Sequence, residues 1–210
     1  MSETIRIAVL IYSGVELIDM SGPMDVFLHV NAVIPNRYQV YTVAENLAPL
    51  KSEGNILTIT PDYDFSNCPT PGLIVIPGLL DSDLRPTVAS QGVIDWIKKM
   101  ISNDIKILSV CVGLFNVAAT GLLSGKTVTT HYLAINGFHK RYPEIKIIKN
   151  TRCVEDRNLV SSGGITSGID AALYIVAKND GEAVAQQVAD IMVYNRDAIL
   201  PPFTVLPPYY

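Results

Sequence analysis

Apolar residues fall in two recurring patterns along this chain. Short continuous runs mark strands buried on both faces, and longer periodic stretches mark helices. Residues 5–12 (IRIAVLIY) form the first run and stop at Ser13-Gly14. Ser21-Gly22-Pro23 then signals entry to a helix predicted over 23–33, because proline suits a first helical turn. Residues 38–44 alternate and predict a second strand, and 47–60 suggest a small hairpin around Glu53-Gly54-Asn55. Residues 62–72 read as loop. Residues 73–76 (LIVI) are a third buried strand closed by Pro77-Gly78. An amphipathic helix containing Trp96 is expected within 87–102, then a strand over 105–110 and a helix opening near Gly113. A short strand leads to His131, and 132–142 are expected to be helical. Residues 145–161 suggest two strands turning at 156–158, before helices from about Ile165 and over 181–194. Strands alternating with helices predict an α/β protein: a three-layer α/β/α sandwich around a mostly parallel sheet. The tail from 200 to 210 is too rich in proline for a helix and is expected to lie extended.

Composition fits this picture. The 210 residues are 49% hydrophobic and only 17% charged, which suits one domain with a large buried sheet, its core over about 5–194. With 16 basic and 20 acidic residues and no basic stripe, nucleic acid is not an expected partner. No apolar run reaches the ~18 residues that span a bilayer, so no membrane partner is expected. Cys68, Cys111 and Cys153 lack metal-binding spacing, and their odd number suits reduced thiols in a cytoplasmic protein. Neither metal nor cofactor is called for.

Parallel α/β sheets bind ligands beyond the carboxyl ends of their strands. Residues 13–19, Pro77-Gly78 and Cys111 all fall there. Cys111 stands where a strand turns directly into a helix. The first helical N–H groups at such a junction favour a thiolate, which predicts a lowered thiol pKa. Gly113 would provide the close backbone approach the turn requires. Read on residue type alone, Cys111 is a small core hydrophobe and Asp19 a helix-entry cap. Asp25 reads as an early helical residue facing the dipole, and Glu16 as solvated.

Four stretches carry a resemblance: GVELIDMSGPMDVF, LIVIPG, ILSVCVGLFNVAATGLLSGKTVTTHY and NLVSSGGITSGIDAALYIVA, in that order over about residues 5–194. Together they resemble the ThiJ/PfpI superfamily, and within it the isonitrile hydratases. The resemblance implies a flavodoxin-like, class I glutamine amidotransferase-like fold and a homodimer. It also implies a small-molecule substrate, Cys111 as nucleophile and Asp19 as its acid. A carboxyl beside a thiol would share one proton with it and could pass that proton to a substrate as sulfur attacks. The backbone N–H groups of Gly78 and Val112 are candidates to stabilise developing negative charge. His131, near the cysteine in some relatives, is either a ligand to sulfur or water, or a packed helix-start residue. Val112 departs from the pattern. PfpI-type proteases have histidine there and isonitrile hydratases threonine, so a step needing a base or hydroxyl at that position is missing. The expected activity is cysteine-dependent hydration or hydrolysis. The alternatives are protease, amidase or glyoxalase chemistry, or a redox-sensing or regulatory module without enzymatic activity.

Overall fold

A computed structural model describes residues 3–80 and 87–196. The first strand is β1 (Ile5–Leu10), followed by α1 (Leu17–Val33) and β2 (Tyr38–Ala44). The hairpin strands β3 (Leu50–Lys51) and β4 (Thr58–Ile59) flank a 3-10 turn at Glu53–Asn55. Next come β5 (Tyr63–Asp64), β6 (Leu73–Ile76), α2 (Gln91–Ser102), β7 (Lys106–Val110) and α3 (Leu114–Ala119). Two-residue strands β8 (Thr127–Val128) and β9 (Lys146–Ile147) bracket α4 (Ile135–Arg141). The chain continues through β10 (Cys153–Asp156), β11 (Leu159–Ser162), α5 (Ser167–Asp180) and α6 (Glu182–Ile191). The proline-rich tail lies outside the described residues.

Seven strands form one sheet in the order β10-β11-β7-β6-β1-β2-β5. All neighbours are parallel except the β10–β11 hairpin at one edge. The central strands are the runs of Ile, Val and Leu read from sequence, and β6 is buried along its whole length. Helices α1, α5 and α6 pack on one another against one face, while α2 and α3 pack together against the other. Small residues permit the α1–α5 crossing: a Cβ on Gly22 would lie 3.0 Å from Ile169, and one on Gly168 3.3 Å from Pro23. The expected three-layer α/β/α sandwich is therefore the observed fold.

Three local expectations are corrected. Helix α1 starts at Leu17, not Pro23, and Pro23 lies buried inside it. Its buried positions, among them Asp19, Gly22, Pro23 and Val26, mix polar and apolar side chains, so no clean helical stripe announces the first turns. Asp25 accordingly sits mid-helix, 3.5 Å from His29, where the dipole has no free N–H to offer it. Residues 62–72 hold the edge strand β5, which adds only two residues to the sheet.

Strand order reverses between β1 and β6: the chain leaves β1 toward β2, then returns to place β6 on the other side. The crevice this creates at the carboxyl ends of β1, β6 and β7 receives residues 11–19, Pro77-Gly78 and Cys111.

Candidate active site

Cys111 follows the last residue of β7 with no intervening loop. Its φ is +57°, the left-handed region that non-glycine residues rarely occupy, and a 3-10 turn over Cys111–Gly113 leads into α3. Such a conformation costs about 1–2 kcal/mol, so the surroundings must impose it. Two contacts do so. The Thr130 hydroxyl donates to the Cys111 carbonyl at 2.7 Å. Gly113 lets the end of β6 approach: a Cβ there would stand 2.2 Å from the Ile76 carbonyl oxygen and 2.4 Å from that of Pro77. The expected role of Gly113 is thus visible in the packing.

Asp19 is the third residue of α1 and is completely buried. Its N–H donates to Glu16 Oε2 at 2.6 Å, so Glu16 caps the helix. Its carboxyl accepts the Gly78 N–H at 2.9 Å on Oδ2 and the Ile165 N–H at 2.7 Å on Oδ1. The Cys111 thiol stands beside the same carboxyl, close enough to feel its charge. Gly78 is a glycine for a steric reason, since its Cβ would lie 2.6 Å from Asp19 Oδ2.

Burial, reinforced by the neighbouring Glu16 charge, raises the Asp19 carboxyl well above the usual carboxylate range, against the pull of its two backbone donors. Burial also raises the Cys111 thiol, and the Asp19 charge adds to it, while the Val112 N–H pulls the other way. The expectation of a lowered thiol pKa is therefore corrected. Helix α3 has only six residues and begins through a 3-10 turn, so its dipole is outweighed by desolvation beside an acid. Nearby, Tyr12 donates its hydroxyl to the Pro77 carbonyl and accepts from Asn116 Nδ2 at 3.1 Å.

The candidate donors now have positions. The Val112 N–H acts to lower the thiol pKa, whereas the Gly78 N–H is engaged by Asp19. The Val112 side chain is buried, 3.1 Å from where a Gly78 Cβ would be. His131 is half-buried in the wall of a cavity of about 450 Å³, with Thr130, Tyr132, Arg152, Gly164 and Ile165 among its neighbours there. Burial lowers the His131 pKa, and so favours the neutral ring, against the opposing Glu16 charge. Gly164 belongs both to the cavity wall and to the packing around sulfur: at φ +99°, a Cβ on it would lie 2.6 Å from Cys111 Sγ. Arg152, also in the wall, is paired with Asp170 and donates to the Tyr194 hydroxyl.

Residue-type reading missed Glu16, Thr130 and Gly164. Glu16 was expected in solvent but is only 8% exposed. Its spacing three residues before Asp19 is that of a helix cap, a role glutamate fills less often than shorter polar residues. Cys153 lies half-buried in β10, as its strand setting predicts, and Cys68 is half-buried in the loop after β5.

The DJ-1/PfpI family model matches residues 5–178. The chain belongs to the DJ-1/PfpI family. Among curated relatives, the isonitrile hydratase of Pseudomonas putida is 33% identical over 200 residues, 95% of this chain and 81% of that protein. The HTH-type transcriptional regulator CdhR of Pseudomonas aeruginosa is 26% identical over 150 residues, 71% of this chain but 38% of the regulator. Among solved structures, a ThiJ/PfpI family protein from Pseudomonas syringae superposes with a TM-score of 0.77 at 29% identity, covering 96% of this chain and 78% of that one. Named DJ-1/PfpI relatives thus include both an enzyme and a regulator. Among the described residues, no helix is long and apolar enough to cross a membrane.

Proposed function

We propose that this protein is a cysteine-dependent small-molecule hydratase, with isonitriles as the substrate class, Cys111 as nucleophile and Asp19 as acid. The observation that carries the reading is a fully buried Asp19 carboxyl set beside a thiol held in left-handed backbone. A pair sharing one proton presents sulfur as a nucleophile and the carboxyl as a proton donor at the same point.

The isonitrile carbon is attacked and protonated at one atom, which suits such a pair. Asp19 gives its proton to the terminal carbon while Cys111 sulfur bonds to that carbon, forming a thioimidate and leaving Asp19 ionised. Water then adds to the same carbon. Its two protons go to the substrate nitrogen and to Asp19, the carbon–sulfur bond breaks, and an N-substituted formamide leaves. The Val112 N–H supports negative charge on sulfur before attack and after release. A neutral His131 in the cavity wall is an acceptor able to orient the water. The cavity can admit the substituent on nitrogen, and the pairing of Arg152 with Asp170 leaves that wall without a net positive charge.

Protease chemistry fits less well, because Val112 has no base to offer and lies buried. The proposal includes a homodimer as the working assembly, which light scattering after size exclusion checks. The deciding experiment incubates the purified protein with an alkyl isonitrile and follows formamide by mass spectrometry. Product from wild type and none from Cys111→Ser supports the reading. No product from wild type with the thiol intact overturns it.

A further inference from the structure

The mechanism above requires a fully buried carboxyl, Asp19, to give up its proton and carry a charge. One donor that steadies that charge, the Gly78 N–H, stands at the end of a longer line of hydrogen bonds. The line begins at Ala89, whose N–H donates to Asn116 Oδ1 at 2.9 Å. Asn116 Nδ2 donates to the Tyr12 hydroxyl at 3.1 Å, and that hydroxyl donates to the Pro77 carbonyl. The Pro77 carbonyl and the Gly78 N–H are the two ends of one planar peptide unit. The Gly78 N–H then meets Asp19 Oδ2 at 2.9 Å.

The direction of every link is forced. A backbone N–H can only donate, so the Asn116 oxygen faces Ala89 and its amide nitrogen faces Tyr12. That nitrogen can only donate and the Pro77 carbonyl can only accept, so the Tyr12 proton lies on Pro77. Every dipole in the line therefore turns its positive end toward Asp19. Hydrogen bonds arranged in this way polarise one another, most strongly where water is excluded. Tyr12, Asn116 and Asp19 are all buried. Burial also raises the Tyr12 phenol far above its ordinary range, so it keeps its proton and stays a donor.

We propose that Tyr12 is a positioning residue for Asp19. Through the Pro77–Gly78 peptide it aims and strengthens the N–H that stabilises the carboxylate formed when Asp19 protonates the substrate. The inference rests on the reading of Asp19 as the acid. Glu16 and Cys111 also act on this carboxyl, but through charge, which a change at the Tyr12 hydroxyl leaves in place. Tyr12 is not among the residues lining the cavity of about 450 Å³, so substrate binding should not depend on it.

The test replaces Tyr12 by phenylalanine and follows the Asp19 titration by carbon NMR of isotope-labelled aspartate carboxyls, with Asp19→Asn assigning the signal. Tyr12→Phe should move the Asp19 midpoint upward by about one pH unit, a ten-fold loss of acidity. Isonitrile kcat should fall about ten-fold, with KM changed less than about two-fold. Tyr41→Phe is the control: the Tyr41 hydroxyl donates to the Pro69 carbonyl at 2.5 Å, the same kind of bond away from the line. Its loss should leave the Asp19 midpoint and kcat in place. Replacing Tyr12 by a fluorinated tyrosine, which keeps the ring and is a stronger donor, should move the midpoint downward, and this decides the matter where Tyr12→Phe does not fold. A midpoint unmoved by these changes at Tyr12, or moved equally by Tyr41→Phe, overturns the inference. An unchanged kcat in Tyr12→Phe, where wild type turns isonitrile over, does the same. A shifted midpoint without turnover in wild type keeps the role of Tyr12 toward Asp19 and removes the substrate reading.

Discussion

Strands β1 and β7 flank β6 and end on the same rim of the sheet, but they hand the chain to their helices in different ways. After β1, the chain takes six residues to reach α1, and a side chain, Glu16, closes the helix end. After β7 it turns at once, and backbone strain at Cys111 does the work, held by Thr130 and by the missing Cβ of Gly113. The first junction places its candidate acid, Asp19, by hydrogen bonds that tolerate some adjustment. The second places sulfur by steric exclusion, which tolerates almost none. The two kinds of junction should therefore fail differently.

The largest effect is expected at the strained junction. Gly113→Ala puts a methyl group 2.2 Å from the Ile76 carbonyl oxygen, so β6 and the elbow cannot both keep their places. A loss of about 3 kcal/mol or more in urea unfolding is expected, with the Cys111 alkylation rate changed as well. An alanine variant with wild-type stability would show that the elbow yields easily, and the contrast between the junctions would disappear.

At the other junction, Asp19→Asn should lower formamide production roughly 10²- to 10³-fold with a much smaller change in fold stability. It also tests the sign of a pH effect. The folded Asp19 pKa lies above its unfolded value of about 3.9, so the folded state binds more protons between the two. The contribution of this group is complete below about pH 4 and is lost as pH rises through the folded pKa. Urea midpoints measured from pH 4 upward should therefore decline in wild type by an increment absent from Asp19→Asn. Parallel curves for the two proteins would contradict the assignment.

Thr130→Val sharpens the comparison on the sulfur side. It removes the hydroxyl that satisfies the Cys111 carbonyl and leaves that buried oxygen short of a partner, at about 1–3 kcal/mol. Chemical denaturation gives the stability change, and turnover should fall with it, because this contact supports the strained residue. The smallest structural effect is expected from Val112→Thr, a nearly isosteric change that adds a hydroxyl at a buried position, at about 1 kcal/mol. Isonitrile turnover should rise several-fold if the missing hydroxyl limits the present rate, which steady-state kinetics will read.

The hydrophobic runs at residues 5–12, 73–76 and 105–110 were enough to locate the central strands, because parallel strands covered on both faces leave no other use for such runs. Cys111 was legible as a junction residue for the same reason: the apolar run ends on it and a helical pattern follows. Its thiol pKa was not legible. The sign depended on burial and on a carboxyl 92 residues away in sequence, as 111 less 19, and neither is a local property. Helix α1 was placed six residues late because Asp19, Gly22 and Pro23 face inward for the sake of the site and the α5 crossing, which breaks the periodicity by which helices are recognised.

By itself, then, the order of residues determined the layered fold, the strand that ends on Cys111 and the family to which its motifs point, since these follow from periodicity and short-range chemistry. Only the tertiary structure decided that Glu16 is buried beside Asp19, that Gly164 packs over sulfur, and that the hairpin docks on the segment leading into α1. Those contacts join segments distant in the chain, and their energies come from burial and exclusion of volume, which no stretch of sequence contains until the sheet brings the segments together.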